Sequence, residues 1–199
     1  MAKLSFKYGA MGSGKSIDLM RAAYNYEEKG LDAIVMKPKL DIKGNDKLDS
    51  RIGISRVVDI LITDDTNIVE EVNKRLTKTL KCIFVDEVQL LPSNKIDELY
   101  LVSKIFDIPV ICYGLRTNFK MNGFSGSTRL LEIADSLEEI KSICKCGKIA
   151  RFNARKVNDK YTLDGDDIII DGTDSKVEYI PLCGDCYLKK VKKIDYKIF

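Results

Sequence analysis

Apolar and polar positions alternate over Leu4-Ser5-Phe6-Lys7-Tyr8, the period of a half-buried strand. The stretch Ile17-Asp18-Leu19-Met20-Arg21-Ala22-Ala23-Tyr24 switches to helical spacing. That helix is expected to stop near Gly30, which follows Glu27-Glu28-Lys29 and can take the left-handed conformation at a helix end. Ala33-Ile34-Val35-Met36 reads as a second strand, closed by Lys37-Pro38. From Lys39 to Arg56 the chain is polar, carries Gly44 and Gly53 and shows no period, which predicts a long loop of the kind that is commonly functional. Val57-Val58-Asp59-Ile60-Leu61-Ile62 is strand-like, and Asn67, three before Glu70, opens a helix through Leu76 with a capping-box pattern. Cys82-Ile83-Phe84-Val85 is a short apolar run suited to a parallel strand buried on both faces. Pro92-Ser93 starts a helix with Ile96, Leu99, Val102, Ser103 and Phe106 on one face, and Pro109-Val110-Ile111-Cys112-Tyr113 forms another buried strand. Strand and helix alternate throughout, so the pattern predicts an α/β fold with a mainly parallel sheet flanked by helices, and a small annex from about Ile143.

Composition narrows the class without changing that picture. A chain of 199 residues holds one full core and at most a small appendage. The expected division is 1–142 for the α/β part and 143–199 for the annex and tail. With 45% hydrophobic and 32% charged residues it reads as an ordinary soluble globule, and no apolar run approaches the ~20 residues that span a bilayer. The N-terminus lacks the basic, apolar and small-residue succession of an export signal, so a cytoplasmic location is expected. Net charge is +3, and although Lys189, Lys190, Lys192, Lys193 and Lys197 crowd the C-terminus, which reads as a solvated tail with an anionic partner as the alternative, no basic stripe interleaved with aromatics runs through the body of the chain; no nucleic-acid partner is expected. The chain has no histidine, so proton transfer near neutral pH falls to a carboxylate, a tyrosine, a lysine, a thiol or water.

The chemistry-bearing residues stand where these elements meet. Gly9-Ala10-Met11-Gly12-Ser13-Gly14-Lys15-Ser16 fits the phosphate-binding template G-x-x-x-x-G-K-[ST], between the first strand and the first helix. Glycine lets the backbone N–H groups turn around phosphates, Lys15 places a cation on the β/γ oxygens, and the Ser16 hydroxyl is placed to ligate Mg²⁺. Asp86-Glu87 lies at the carboxyl end of a buried strand, where ligands bind in such folds. Asp86 is expected to hold Mg²⁺, and Glu87 to serve as the general base or to orient a water; the competing reading is that Glu87 only pairs with a lysine or arginine. Asn94-Lys95-Ile96-Asp97 matches a guanine-reading N-K-x-D pattern, but it begins a helix directly after the Asp86 strand, and Gln89 stands where a γ-phosphate-sensing glycine is needed. Of six cysteines, Cys144, Cys146, Cys183 and Cys186 form two close, glycine-bearing pairs with the layout of a zinc ribbon; a disulfide or unrelated free thiols are the alternatives. Cys82 and Cys112 read as small core residues.

Taken together, the phosphate loop, Val85-Asp86-Glu87-Val88-Gln89, Tyr113-Gly114-Leu115-Arg116-Thr117-Asn118-Phe119 and Tyr179 four residues before Cys183 resemble, in order and spacing, the type II thymidine kinases. Tyr24-Asn25-Tyr26-Glu27-Glu28, Ser50-Arg51-Ile52-Gly53 and Cys144-Lys145-Cys146-Gly147 extend the likeness over nearly the whole chain. The resemblance implies transfer of the ATP γ-phosphoryl group to the 5′-hydroxyl of thymidine, giving dTMP. It implies that the loop residues Gly9 to Ser16, with Asp86 and Gln89, form the site for ATP and Mg²⁺, and that Glu87 deprotonates the acceptor. It further implies a structural Zn²⁺ on the four cysteines, which closes a lasso-like loop over the nucleoside. That loop would present Ile169, Ile170, Asp171 and Gly172 to the thymine edge and Tyr179 to its surroundings, while Met11, Leu115 and Phe119 line the apolar side. A homotetramer inhibited by dTTP, without a membrane partner, completes the expectation. The reading from a different class is a phosphate-loop ATPase or switch module whose zinc ribbon docks a protein or nucleic acid.

Overall fold

The computed structural model describes residues 1–40, 46–50, 52–165 and 177–194. In chain order the elements are β1 (Leu4–Tyr8), α1 (Lys15–Glu27), β2 (Asp32–Pro38), β3 (Lys47–Asp49), β4 (Ser55–Val57), β5 (Ile60–Ile62), α2 (Ile68–Asn73) and β6 (Leu80–Val85). A 3₁₀ turn (Val88–Leu90), α3 (Ser93–Ile105), β7 (Val110–Gly114), α4 (Ser125–Ile133) and β8 (Ser136–Glu139) follow. The remainder comprises β9 (Ser142–Ile143), β10 (Ile149–Ala150), β11 (Phe152–Val157), β12 (Lys160–Thr162), β13 (Val177–Leu182) and α5 (Gly184–Lys190).

Six strands form one parallel sheet in the order β5-β2-β6-β7-β1-β8. Both faces are covered, which is why β2, β6 and β7 read as apolar runs rather than alternations. The alternate residues still separate two cores. Ile34, Met36, Ile83 and Val85 meet Ile68 and Val72 of α2 and Ile96, Leu99 and Val102 of α3. Ala33, Val35, Cys82 and Phe84 meet Leu19, Met20 and Ala23 of α1 on the other face. At the end of α1, Gly30 is left-handed (φ 70°), as a helix stop requires.

Three local expectations are corrected. Within Lys39–Arg56 the described residues include an antiparallel hairpin, β3 with β4, pinned by the buried Leu48; three-residue strands are too short to display a period. The apolar run from Val57 is divided, because Val57 closes that hairpin and Asp59 turns the chain by accepting the Val35 N–H (2.7 Å) before β5 begins. The helix capped by Asn67 ends at Asn73 and leaves Leu76 exposed. Its cap is half a box: Asn67 Oδ1 accepts the Glu70 N–H, whereas the Glu70 carboxylate accepts from the Asn67 side chain instead of its backbone.

From Ser142 the architecture changes. A short antiparallel pair, β9 with β10, leads into a three-stranded antiparallel sheet, β12-β11-β13, closed by α5 around Ala150, Ala154, Leu182 and Tyr187. Among the contacts that fasten this annex to the larger part, the Tyr187 hydroxyl donates to the Phe119 carbonyl, the Met11 N–H donates to Asn153 Oδ1 (2.8 Å), and Arg151 Nε donates to Glu139 Oε1 (3.0 Å).

Candidate active site

The loop between β1 and α1 wraps the space at the carboxyl end of the sheet. Gly9 is required by packing, because a Cβ there would lie 2.4 Å from the Ile140 carbonyl oxygen and 2.6 Å from Ser13 Oγ. Gly14 is required by its backbone (φ 86°), which lets the chain enter α1 with its first N–H groups facing the loop. Lys15 is 7% exposed, and its ammonium reaches back to the carbonyls of Gly9 and Ala10, both at 3.1 Å. The loop thus holds a cation at its centre, where anionic phosphates are attracted.

Ser16 Oγ donates to Asp86 Oδ2 at 2.8 Å, joining the loop to the end of β6 across the intervening β7. Asp86 is 2% exposed, and its second oxygen, Oδ1, has no hydrogen-bond partner among the described residues. Burial, and then the charge of Glu87, push its carboxyl up to about 7 against the Ser16 hydrogen bond. A buried carboxylate with one oxygen on a hydroxyl and the other orphaned is a fit for a hard divalent cation shared with Ser16.

Glu87 has a left-handed backbone (φ 50°), a conformation that costs a non-glycine residue free energy and clusters at functional sites. Its carboxylate accepts from Gln89 Nε2, and Gln89 Oε1 in turn accepts the Leu115 N–H at 3.0 Å. The 3₁₀ turn that carries these groups is packed tightly from behind: a Cβ on Gly126 would lie 2.4 Å from the Val88 carbonyl oxygen and 2.6 Å from that of Leu91.

On the annex side, the ring of Phe119 stands edge-on to Tyr179, with centroids 6.4 Å apart. The Arg155 guanidinium lies 3.9 Å over Phe119, and its Nε and Nη2 donate to the Tyr179 hydroxyl (3.2 and 2.9 Å). Farther out, the ligand atoms of Cys144, Cys146, Cys183 and Cys186 all lie within 4.8 Å of one another. Burial opposes ionisation of Cys144, but the N–H groups of Cys146 and Cys183 and the neighbouring thiols hold it down at about 6. Four convergent sulfurs, one of them readily a thiolate, suit tetrahedral zinc.

A family model described as thymidine kinase matches residues 2–187. The chain belongs to the thymidine kinase family. It is similar to a thymidine kinase from Francisella tularensis, 40% identical over 188 residues, which cover 92% of this chain and 95% of that protein. It is also similar to thymidine kinases from Haemophilus influenzae, 41% identical over 98% of this chain and all of that one, and from Enterobacteria phage T4, 39% identical over 98% and 100%.

Within this thymidine kinase fold, Gly9, Ala10, Met11, Gly12, Ser13, Gly14, Lys15 and Ser16 form one loop that meets Asp86 directly, and Glu87, Gln89 and Leu115 are joined by hydrogen bonds beside it. Phe119 and Tyr179 form a pair at the annex boundary. Ile169, Ile170, Asp171 and Gly172 lie outside the described residues, as does Arg51. Gln89 is 5% exposed and hydrogen-bonds both Glu87 and the Leu115 N–H. Asn153 and Arg155 were not anticipated. Both are buried on β11, Asn153 against the Met11 N–H and Arg155 against Phe119, Tyr179 and Asp164.

Proposed function

We propose that the chain phosphorylates thymidine by direct in-line transfer, with Glu87 as the base. The ATP triphosphate occupies the loop Gly9–Ser16, with the loop amides and the Lys15 ammonium on its oxygens. Ser16 and Asp86 would hold Mg²⁺, whose chemistry when bound is neutralisation of charge on the β- and γ-phosphate oxygens. The thymidine 5′-hydroxyl gives its proton to the Glu87 carboxylate as its oxygen bonds to the γ-phosphorus, while the bond from that phosphorus to the β,γ-bridging oxygen breaks and ADP leaves with the electron pair. Gln89 orients Glu87 through its hydrogen bond. Met11, Leu115, Phe119 and Tyr179 form the nucleoside side of the site, with Ile169 to Gly172 completing it.

The observation that carries this reading is the adjacency of Asp86, bonded to the phosphate-loop serine, and Glu87, turned by its left-handed backbone at the same strand end. In a chain without histidine, that second carboxylate is the available base. The four-cysteine cluster supports a structural zinc that stabilises a unit of residues 143–199, set against an ATP-binding unit of 1–142. Family membership supports a homotetramer with dTTP as feedback inhibitor, and the absence among the described residues of any helix long and apolar enough to cross a membrane agrees with a cytoplasmic enzyme. The test is incubation of the purified protein with labelled ATP, Mg²⁺ and each nucleoside in turn. Label is expected on thymidine; ATP hydrolysis with no nucleoside acceptor would instead leave a phosphate-loop ATPase.

A further inference from the structure

Arg155 is fully buried at the boundary between the annex and the larger sheet. Removing a guanidinium from water is costly unless its donors are satisfied, so its partners reveal what the position is for. Nε and Nη2 both donate to the Tyr179 hydroxyl on β13, and Nη1 donates to the Asp164 carbonyl (3.0 Å) beyond β12. The guanidinium plane covers the Phe119 ring, which belongs to the segment between β7 and α4. One side chain therefore fixes residues from three separate stretches of chain. Space around it is closed as well: a Cβ on Gly165 would come within 2.7 Å of Nη1.

We propose that Arg155 is a positioning residue for the nucleoside, holding the Phe119 ring and the Tyr179 phenol as one rigid wall. This rests on the reading of Phe119 and Tyr179 as the nucleoside side of the site. Two donors from Arg155 occupy the acceptor positions of the phenol oxygen, so the phenol is left to act as a donor with a fixed orientation. The planar fork is needed because a lysine ammonium is a point donor that cannot reach the phenol and the Asp164 carbonyl while also lying flat on an aromatic face. Two residues before it on β11, the buried Asn153 accepts the Met11 N–H, so the same face of that strand also touches the phosphate loop. Arg155 is thereby held in register with the reacting end of the site.

The test uses the full-length, zinc-loaded enzyme with Arg155→Lys, Arg155→Met and Tyr179→Phe. Thymidine KM is expected to rise about tenfold or more in both Arg155 variants, with ATP KM within about twofold and zinc content unchanged. Tyr179→Phe, which removes the accepting oxygen while keeping the ring, is expected to raise thymidine KM too. The Arg155→Lys/Tyr179→Phe double variant is expected to be no worse than the poorer single one, because the two act through one contact. Unchanged thymidine KM in the folded variants, additive effects in the double variant, or parallel loss of thymidine and ATP kinetics with zinc would overturn the proposal. Should the Arg155 variants fail to fold, Tyr179→Phe decides alone, and an unaltered thymidine KM there overturns it. A wild-type enzyme that does not phosphorylate thymidine at all would sink the functional reading itself, a result distinct from any of these.

Discussion

Asp86 is a buried carboxyl set directly beside a second one. Its carboxyl is buried beside Glu87 and titrates near 7 in the folded chain, against 3.8 as the ordinary value. The folded state thus binds this proton more tightly than the unfolded state. The stabilisation from that difference is complete below about pH 3.8 and is lost as pH rises through about 7. The ligand-free, metal-free protein should therefore lose thermal stability between pH 5 and pH 8 relative to Asp86→Asn, by on the order of a few kcal/mol, while that variant loses ATP turnover. Calorimetry at the two pH values checks it, and parallel pH profiles for the two proteins would contradict the assignment. Glu87→Gln keeps the shape and the Gln89 neighbour but removes the carboxylate proposed as the base. Turnover should drop by ~10²–10⁴-fold with ATP and thymidine binding retained, as single-turnover kinetics and equilibrium binding would reveal. A variant that turns over like the wild type would exclude Glu87 as the proton acceptor.

Elements succeed or fail here by the closeness of their backbones. Gly→Ala inside a helix ordinarily stabilises by roughly 1 kcal/mol. In α4, however, the Cβ of Gly126→Ala would meet two backbone oxygens of the turn that carries Glu87 and Gln89. Overpacking against backbone costs about 1–3 kcal/mol, so the net effect should be destabilising, with kcat reduced because the turn shifts. A denaturation midpoint at or above that of the wild type would show that the helix can move away. Long elements such as α1, β2, β6, α3 and β7 were legible because each shows several turns of one period or a sustained apolar run. The hairpin of β3 and β4 was not, since three residues cannot display a period and its partner choice depends on Leu48 finding a buried place.

At the scale of the whole molecule, the annex gathers its four thiols beside a small apolar core of its own and meets the larger part through Met11, Phe119 and Glu139. Cys183→Ser with Cys186→Ser should release about one zinc per chain. Thymidine KM should then rise far more than ATP affinity falls, because the phosphate loop is built on β1 and α1, while Tyr179 and Arg155 hang on the annex sheet. Metal analysis with paired kinetics measures this, and full zinc retention or an equal loss of both substrates would refute it. Reactivity offers a parallel check. Burial pushes the Cys82 thiol up to about 11 and Cys112 higher still, whereas Cys146 is exposed, so in the zinc-stripped folded protein an alkylating reagent should label Cys146 first and spare these two.

The sequence by itself determined the α/β alternation, the phosphate loop, the acidic pair at the end of β6 and the cysteine quartet. Each is written in spacing along the chain, where the backbone geometry of one loop, strand end or knuckle fixes what neighbouring residues can do. Tertiary structure alone decided that Gln89 backs Glu87, that Asn153 meets the phosphate loop, and that Arg155 lies on Phe119 beneath the Tyr179 hydroxyl. Those pairings join residues separated along the chain by a turn, a sheet or most of its length. A polar side chain on a short strand looks the same in sequence whether it faces water or another layer; packing of the second layer settles which.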